Sequence, residues 1–143
     1  MLRKSLCLLF LTIFVGPLLA TTAAFNMSFD AYFDGNRYEF VIRHDMVEQA
    51  PLWNPDLEPN PPLSAAEALA KSKACISAVP TWPGTEWKFE QIGLGNAAGG
   101  WFWVSRYRLA QNDGVRTGAW PFMFCAILMD GTVVRPIITK QKT

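Results

Sequence analysis

Few side chains in this chain are of a type and spacing that could do chemistry. His44 is the only histidine among the 143 residues. With Asp45 it spells an HD pair, which in metal phosphohydrolases needs several further histidines, so a surface or strand-end position is the default for it. A serine–histidine–acid arrangement lacks the G-x-S-x-G elbow that exposes a nucleophilic serine, and Ser105 falls inside a strand pattern. Cys75 or Cys125 with His44 would make a thiol nucleophile pair. Both cysteines sit among apolar residues, which favour the protonated, inert thiol. Asp30, Asp34, Glu39, Asp45 and Glu48 are dense, but they follow no EF-hand spacing and strand alternation splits them between faces. The stretch GLGNAAGG (93–100) has glycines without a lysine or a strand-to-helix setting, and reads as a flexible loop rather than a phosphate cradle. The expectation is no catalytic residue, no metal and no cofactor.

Binding chemistry has a better candidate. The run GGWFWVSRYRLA (99–110) packs four aromatics and two arginines behind a glycine pair. As a strand it puts Trp101, Trp103, Tyr107 and Leu109 on one side and Phe102, Val104, Arg106 and Arg108 on the other. Trp101, Trp103 and Tyr107, with Trp53 nearby, would stack on sugar rings or pack on a partner chain, and Arg106 and Arg108 would add contacts to carboxylates. In the alternative reading the same aromatics fill the core under a helix, while Phe102 and Val104 are covered by the segment carrying Trp53.

The cysteines offer a second pairing. Neither belongs to a C-x-x-C motif, which argues against a redox or zinc site. Cys75 flanks the inward stripe of an amphipathic helix, and Cys125 shares a strand face with Met123, Ile127 and Met129. If the helix covers that face, the sulfurs meet in a disulfide; otherwise both are small buried hydrophobes. A bridge would close a loop of about 50 residues, worth on the order of 4 kcal/mol.

The elements that must position these residues can be followed along the chain. Arg3 and Lys4, the apolar run Leu6–Val15 and the small residues 20–24 have the layout of a secretory signal peptide spanning 1–24, cleaved after Ala23 or Ala24. An uncleaved anchor would need residues 16–20 as well to approach spanning length. The expected location is therefore secreted or periplasmic, with the membrane met only through the leader. Cys7 departs with that leader, and so do Arg3 and Lys4. Of 13 basic and 12 acidic side chains, the remainder is near balance, which argues against nucleic acid as a partner.

Residues 25–50 read as a strand or hairpin, with Phe29, Ala31 and Phe33 alternating, a turn at Asp34-Gly35-Asn36, then Tyr38, Phe40 and Ile42 alternating. Residues 51–63 hold five prolines and form a connector, with Leu52 and Trp53 tacked against the domain face. Ser64 and Glu67 make a capping box, and Ala65, Leu69, Ser72, Ile76 and Val79 make one apolar stripe that Pro80 terminates. Strands follow at Trp87–Leu94, across the aromatic run, and at Trp120–Met129, with a loop marked by Asn112-Asp113-Gly114. A two-residue turn at Asp130-Gly131 leads to a returning arm, Thr132–Ile138, that Pro136 assigns to a sheet edge. Residues 64–143 thus supply helix and sheet, and 25–143 form one domain. The fold expected is α+β, one main helix on a four- to five-stranded antiparallel sheet, in two layers.

Three stretches, PLSAAEALAKSKACI, GWFWVSRYRL and FCAILMDGTVVRP, resemble the PepSY-type domain and, more loosely, the cystatin-like layout, over residues 61–138. Ser64, Glu67, Ala68 and Leu69 match the family's helix start, Trp101–Tyr107 its aromatic strand, and Asp130-Gly131 with Val133-Val134 its turn and return. The resemblance implies an exported, non-catalytic binding or accessory module that engages a protein or peptide, including restraint of a peptidase. A carbohydrate or small-ligand module using the aromatic face is the alternative, and a small enzyme with a helix–sheet pocket the second alternative.

Overall fold

The computed structural model describes residues 26–97, 99–111 and 120–141. The expected signal peptide at 1–24 and the loop expected at Asn112-Asp113-Gly114 lie outside the described residues. Strands β1 (Met27–Phe33) and β2 (Asn36–Ile42) form the expected hairpin, paired from Phe33↔Asn36 to Met27↔Ile42. Its turn is Asp34-Gly35, with φ of 50° and 70°. Two consecutive positive φ values make the tight turn whose twist matches that of the strands, and Asp-Gly tolerates them. The alternating side chains Ala31, Phe33, Tyr38, Phe40 and Ile42 are buried.

A short helix, α1 (His44–Gln49), follows directly. Sequence patterning passes over it because it is under two turns long and buries one residue, Val47. Val47 packs where a Cβ on Gly100 would stand, so that glycine is required for close approach. The proline connector is an ordered turn. Asn54 accepts from the Leu57, Glu58 and Asp56 amides, and Trp53 Nε1 donates to Glu58 O at 2.9 Å. Trp53 is tacked down as expected, but Leu52 is 71 % exposed and is not.

Helix α2 (Ala65–Ser77) starts on the expected capping box. The Glu67 amide donates to Ser64 Oγ at 3.2 Å, and the Ser64 amide donates to Glu67 Oε2 at 3.1 Å. These hydrogen bonds hold the Glu67 carboxyl below its ordinary range. Ala68, Ser72 and Ile76 form the buried stripe, while Ala65 is exposed, against expectation. The helix stops two residues before Val79.

The C-terminal sheet has the order β3 (Thr85–Ala97), β4 (Gly100–Gln111), β5 (Phe122–Leu128) and β6 (Val133–Val134), all antiparallel. Gly93–Ala97 belongs to β3, which corrects the flexible-loop reading of GLGNAAGG. There Gly93–Ala97 pairs residue for residue with β4, from Gly93↔Val104 to Ala97↔Gly100. The turn after β5 holds three residues rather than two. Leu128 faces Thr132, the Gly131 amide donates to Leu128 O, and Gly131 takes φ 85°.

The returning arm departs furthest from expectation. It splits at Arg135-Pro136: β6 stays on β5, and β7 (Ile137–Lys140) crosses to pair with β2. Pro136 has no amide hydrogen to continue a ladder, so the break falls at the proline. The result is an α+β chain with two antiparallel sheets, β1-β2-β7 and β3-β4-β5-β6, in place of one sheet. Helix α2 packs on β4 and β5, and β1 runs against β5. Phe29 of β1 meets Phe102 and Phe124 of the larger sheet. Among the described residues no helix is long and apolar enough to cross a membrane.

Candidate functional site

The aromatic strand is mostly interior. Tyr107 is buried, with its hydroxyl against Ser72 Oγ of α2, and burial pushes its phenol up. Trp103 is buried and its Nε1 donates to Leu63 O at 2.9 Å. Trp101 stacks edge-on against Trp53 at 5.4 Å. A stacking face for sugars needs open rings, and Trp103 and Tyr107 do not offer them. On the other side of β4, Arg106 and Arg108 both reach Glu90, at 3.3 and 3.0 Å, and Arg106 lies 4.8 Å from the Phe122 ring centre. Glu90 occupies the bulge between Phe89 and Gln91 that interrupts the β3–β4 register. Of the six residues expected to form a binding face, Trp101, Trp103 and Tyr107 lie on one side of β4, Arg106 and Arg108 on the other, and Trp53 in the connector, and each contacts another residue of the chain.

The other chemistry-bearing residues are also accounted for. Cys75 and Cys125 are bonded to each other, with Cα atoms 6.4 Å apart, which tethers α2 to β5. Among the described residues no free thiol is left for His44. The imidazole Nε2 lies 2.9 Å from Glu48 one helical turn on, and its Nδ1 is buried without a partner. Ser105 is fully buried and its Oγ makes no hydrogen bond, so it forms no relay with that histidine. Asp30 and Glu39 pair with Arg37, Asp45 pairs with Arg43, and Asp34 accepts from Trp82 Nε1 at 3.4 Å. Among the described residues no three metal-ligating side chains cluster.

The site that sequence reasoning missed is a cleft of about 600 Å³ between α2 and the sheet of β2 and β7. Its walls are Tyr38 and Phe40 from β2, Ala74 and Ala78 from α2, and Val133 and Ile138 from the divided C-terminal arm. That volume lies in the range of ligand pockets. Lys71 and Arg135 also line it, and no acidic residue does. Among the described residues, neither cation is in an ion pair. Glu67 precedes Lys71 by one turn and feels its charge, but its carboxylate is held by Ser64. Burial, and then the charge of Asp34, push the Tyr38 phenol up, so it stays a neutral hydroxyl over the ordinary pH range.

The chain matches no protein-family model, no curated protein and no solved structure.

The cleft owes its existence to the strand split. A returning arm that stayed on β5 throughout would leave β2 without β7 and the cleft without its Ile138 wall. The one local signal was Ile137-Ile138, two branched apolar residues directly after a proline in a segment assigned to a sheet edge.

Proposed function

We propose that the chain is an exported, non-catalytic binding domain that engages an apolar segment of another protein or a peptide in the cleft between α2 and the β2–β7 pair. The observation that carries this reading is the cleft itself: apolar walls, unpaired cations and a volume suited to a few side chains. The layout that resembles PepSY-type domains favours the same kind of role, which includes restraint of a peptidase. The leader-like residues 1–24 and the Cys75–Cys125 disulfide favour an oxidising compartment outside the cytoplasm.

The test is a selection of displayed peptides on the mature chain, followed by binding to Ala74→Trp. Ala74 is an exposed helix residue on the cleft wall, so an indole there occupies the cleft without entering the core. Selected peptides are expected to bind the natural chain and to lose affinity for the tryptophan variant, whose urea midpoint stays within a small margin. Peptides that bind both proteins equally would place recognition elsewhere and refute the reading.

A further inference from the structure

Resting on that reading, the geometry points to the manner of binding: we propose that an extended partner segment carrying an apolar and an acidic side chain two residues apart, and so on one face, adds as a strand to the open edge of β7. Three observations lead there. The first is the edge. Strand β7 ends the order β1-β2-β7, so among the described residues one of its sides has no neighbour strand. Ladder alternation identifies what that side offers. The Gln141 amide donates to Gly35 O, which makes 35 and 141 a hydrogen-bonded pair. With Asn36 opposite Lys140 and Tyr38 opposite Ile138, the next bonded pairs are Arg37 with Thr139 and Glu39 with Ile137. Ile138 and Lys140 therefore direct their amide hydrogens and carbonyls outward, where a further strand would meet them.

The second observation is apolar exposure on that edge. Ile137 and Ile138 are 57 % and 58 % exposed. Edge strands are normally blunted by charge or proline. Here Pro136 and Lys140 bracket the strand, and two isoleucines remain open between them. Ile138 shares a face with Tyr38 directly across the ladder, and both line the cleft. A residue of an added strand opposite Ile138 would extend that row, which places its side chain at the mouth of the cleft.

The third is charge. Lys71 and Arg135 line the cleft unpaired, and Lys140 stands on the same strand face as Ile138, also without an ion pair among the described residues. Two cations lining the cleft and a third on the strand face of its Ile138 wall, with no acid lining the cleft, are complementary to carboxylates and repel a basic segment. A free small amphiphile would use the cleft and the charges, but it would leave the outward amides of β7 unmet. The open edge favours a peptide.

The experiment uses a short fluorescent peptide in which leucine and glutamate take turns at every second position, with threonine between them, so that both fall on one face of the strand. Its controls are the same peptide with lysine for glutamate, the same peptide N-methylated at alternate backbone nitrogens, and a long-chain fatty carboxylate as competitor. Fluorescence anisotropy with the natural mature chain is expected to show the acidic peptide bound at least about tenfold tighter than the basic one, and weakened about tenfold by N-methylation. Ile138→Pro removes an outward amide hydrogen while leaving the bonded pairs to β2 in place, and should weaken the acidic peptide to a similar degree. The joint Lys71→Glu and Arg135→Glu variant should reverse the charge preference. Binding that Ala74→Trp abolishes but N-methylation leaves unchanged would overturn strand addition and leave the cleft reading standing. No binding by either peptide, or binding of the fatty carboxylate alone, would overturn both.

Discussion

Breaking the Cys75–Cys125 bond should remove a large share of the stability of this chain. The bridge spans 50 residues of sequence and holds the helix to the middle of the C-terminal sheet. Closing a loop of that length in the unfolded chain costs about 4 kcal/mol of conformational entropy, a cost that the bonded protein never meets on folding. Single domains have about 5–15 kcal/mol in all. The assay is urea unfolding followed by tryptophan fluorescence, on oxidised protein and on protein reduced in denaturant and refolded with reductant present. With a slope of about 1–3 kcal/mol per molar urea, the midpoint should fall on the order of 2 M. The slope should also steepen, because a reduced chain exposes more surface on unfolding. Cys125 is fully buried, so the double variant Cys75→Ala, Cys125→Ala should lose slightly more than reduction does, through the space left by two sulfur atoms. Thiol titration of the unreduced, denatured protein should find neither cysteine. Two titratable thiols, or matching midpoints with and without reductant, would refute the reasoning.

Other expectations follow from single contacts. Ser64→Ala should cost about 1 kcal/mol through loss of the helix cap, read as a lowered urea midpoint. Glu67 has a folded pKa below its ordinary 4.5, so its contribution to stability is full above that value and is lost as pH falls through the lower, folded value; Glu67→Gln should flatten stability against pH in that acid window. Ser72→Ala leaves the buried Tyr107 hydroxyl without its partner and should cost about 1–3 kcal/mol, and adding Tyr107→Phe should return part of that loss in a double-mutant cycle. Gly100→Ala sets a methyl against Val47 and should destabilise by about 1–3 kcal/mol, a loss that Val47→Ala partly relieves.

What was legible in the sequence is what local chemistry decides. Asp34-Gly35 between two alternating runs specifies its hairpin because few other residue pairs accept two positive φ values in succession. Ser64 and Glu67 specify where α2 begins, since their side chains satisfy amides that would otherwise lack acceptors. The disulfide was visible as a possibility once a helix stripe and a strand face each carried a cysteine. The aromatics of β4 were legible only as alternatives. Whether Trp103 and Tyr107 meet a helix or a partner depends on which face α2 covers, and that is a matter of tertiary packing. Helix α1 escaped because six residues with one buried side chain leave no periodic trace. The cleft escaped for a stronger reason. It joins residue 38 to residue 138, and nothing local to either position announces that Pro136 will pass the strand from one sheet to the other.

That handover has a consequence for how the chain reaches its final form. The opening hairpin takes its third strand from Ile137–Lys140, far along the chain from β2. Pairing Asn36 with Lys140 and Glu39 with Ile137 joins residues about a hundred positions apart, and contacts so distant along the chain form slowly, so this small sheet should be completed after the hairpin has formed.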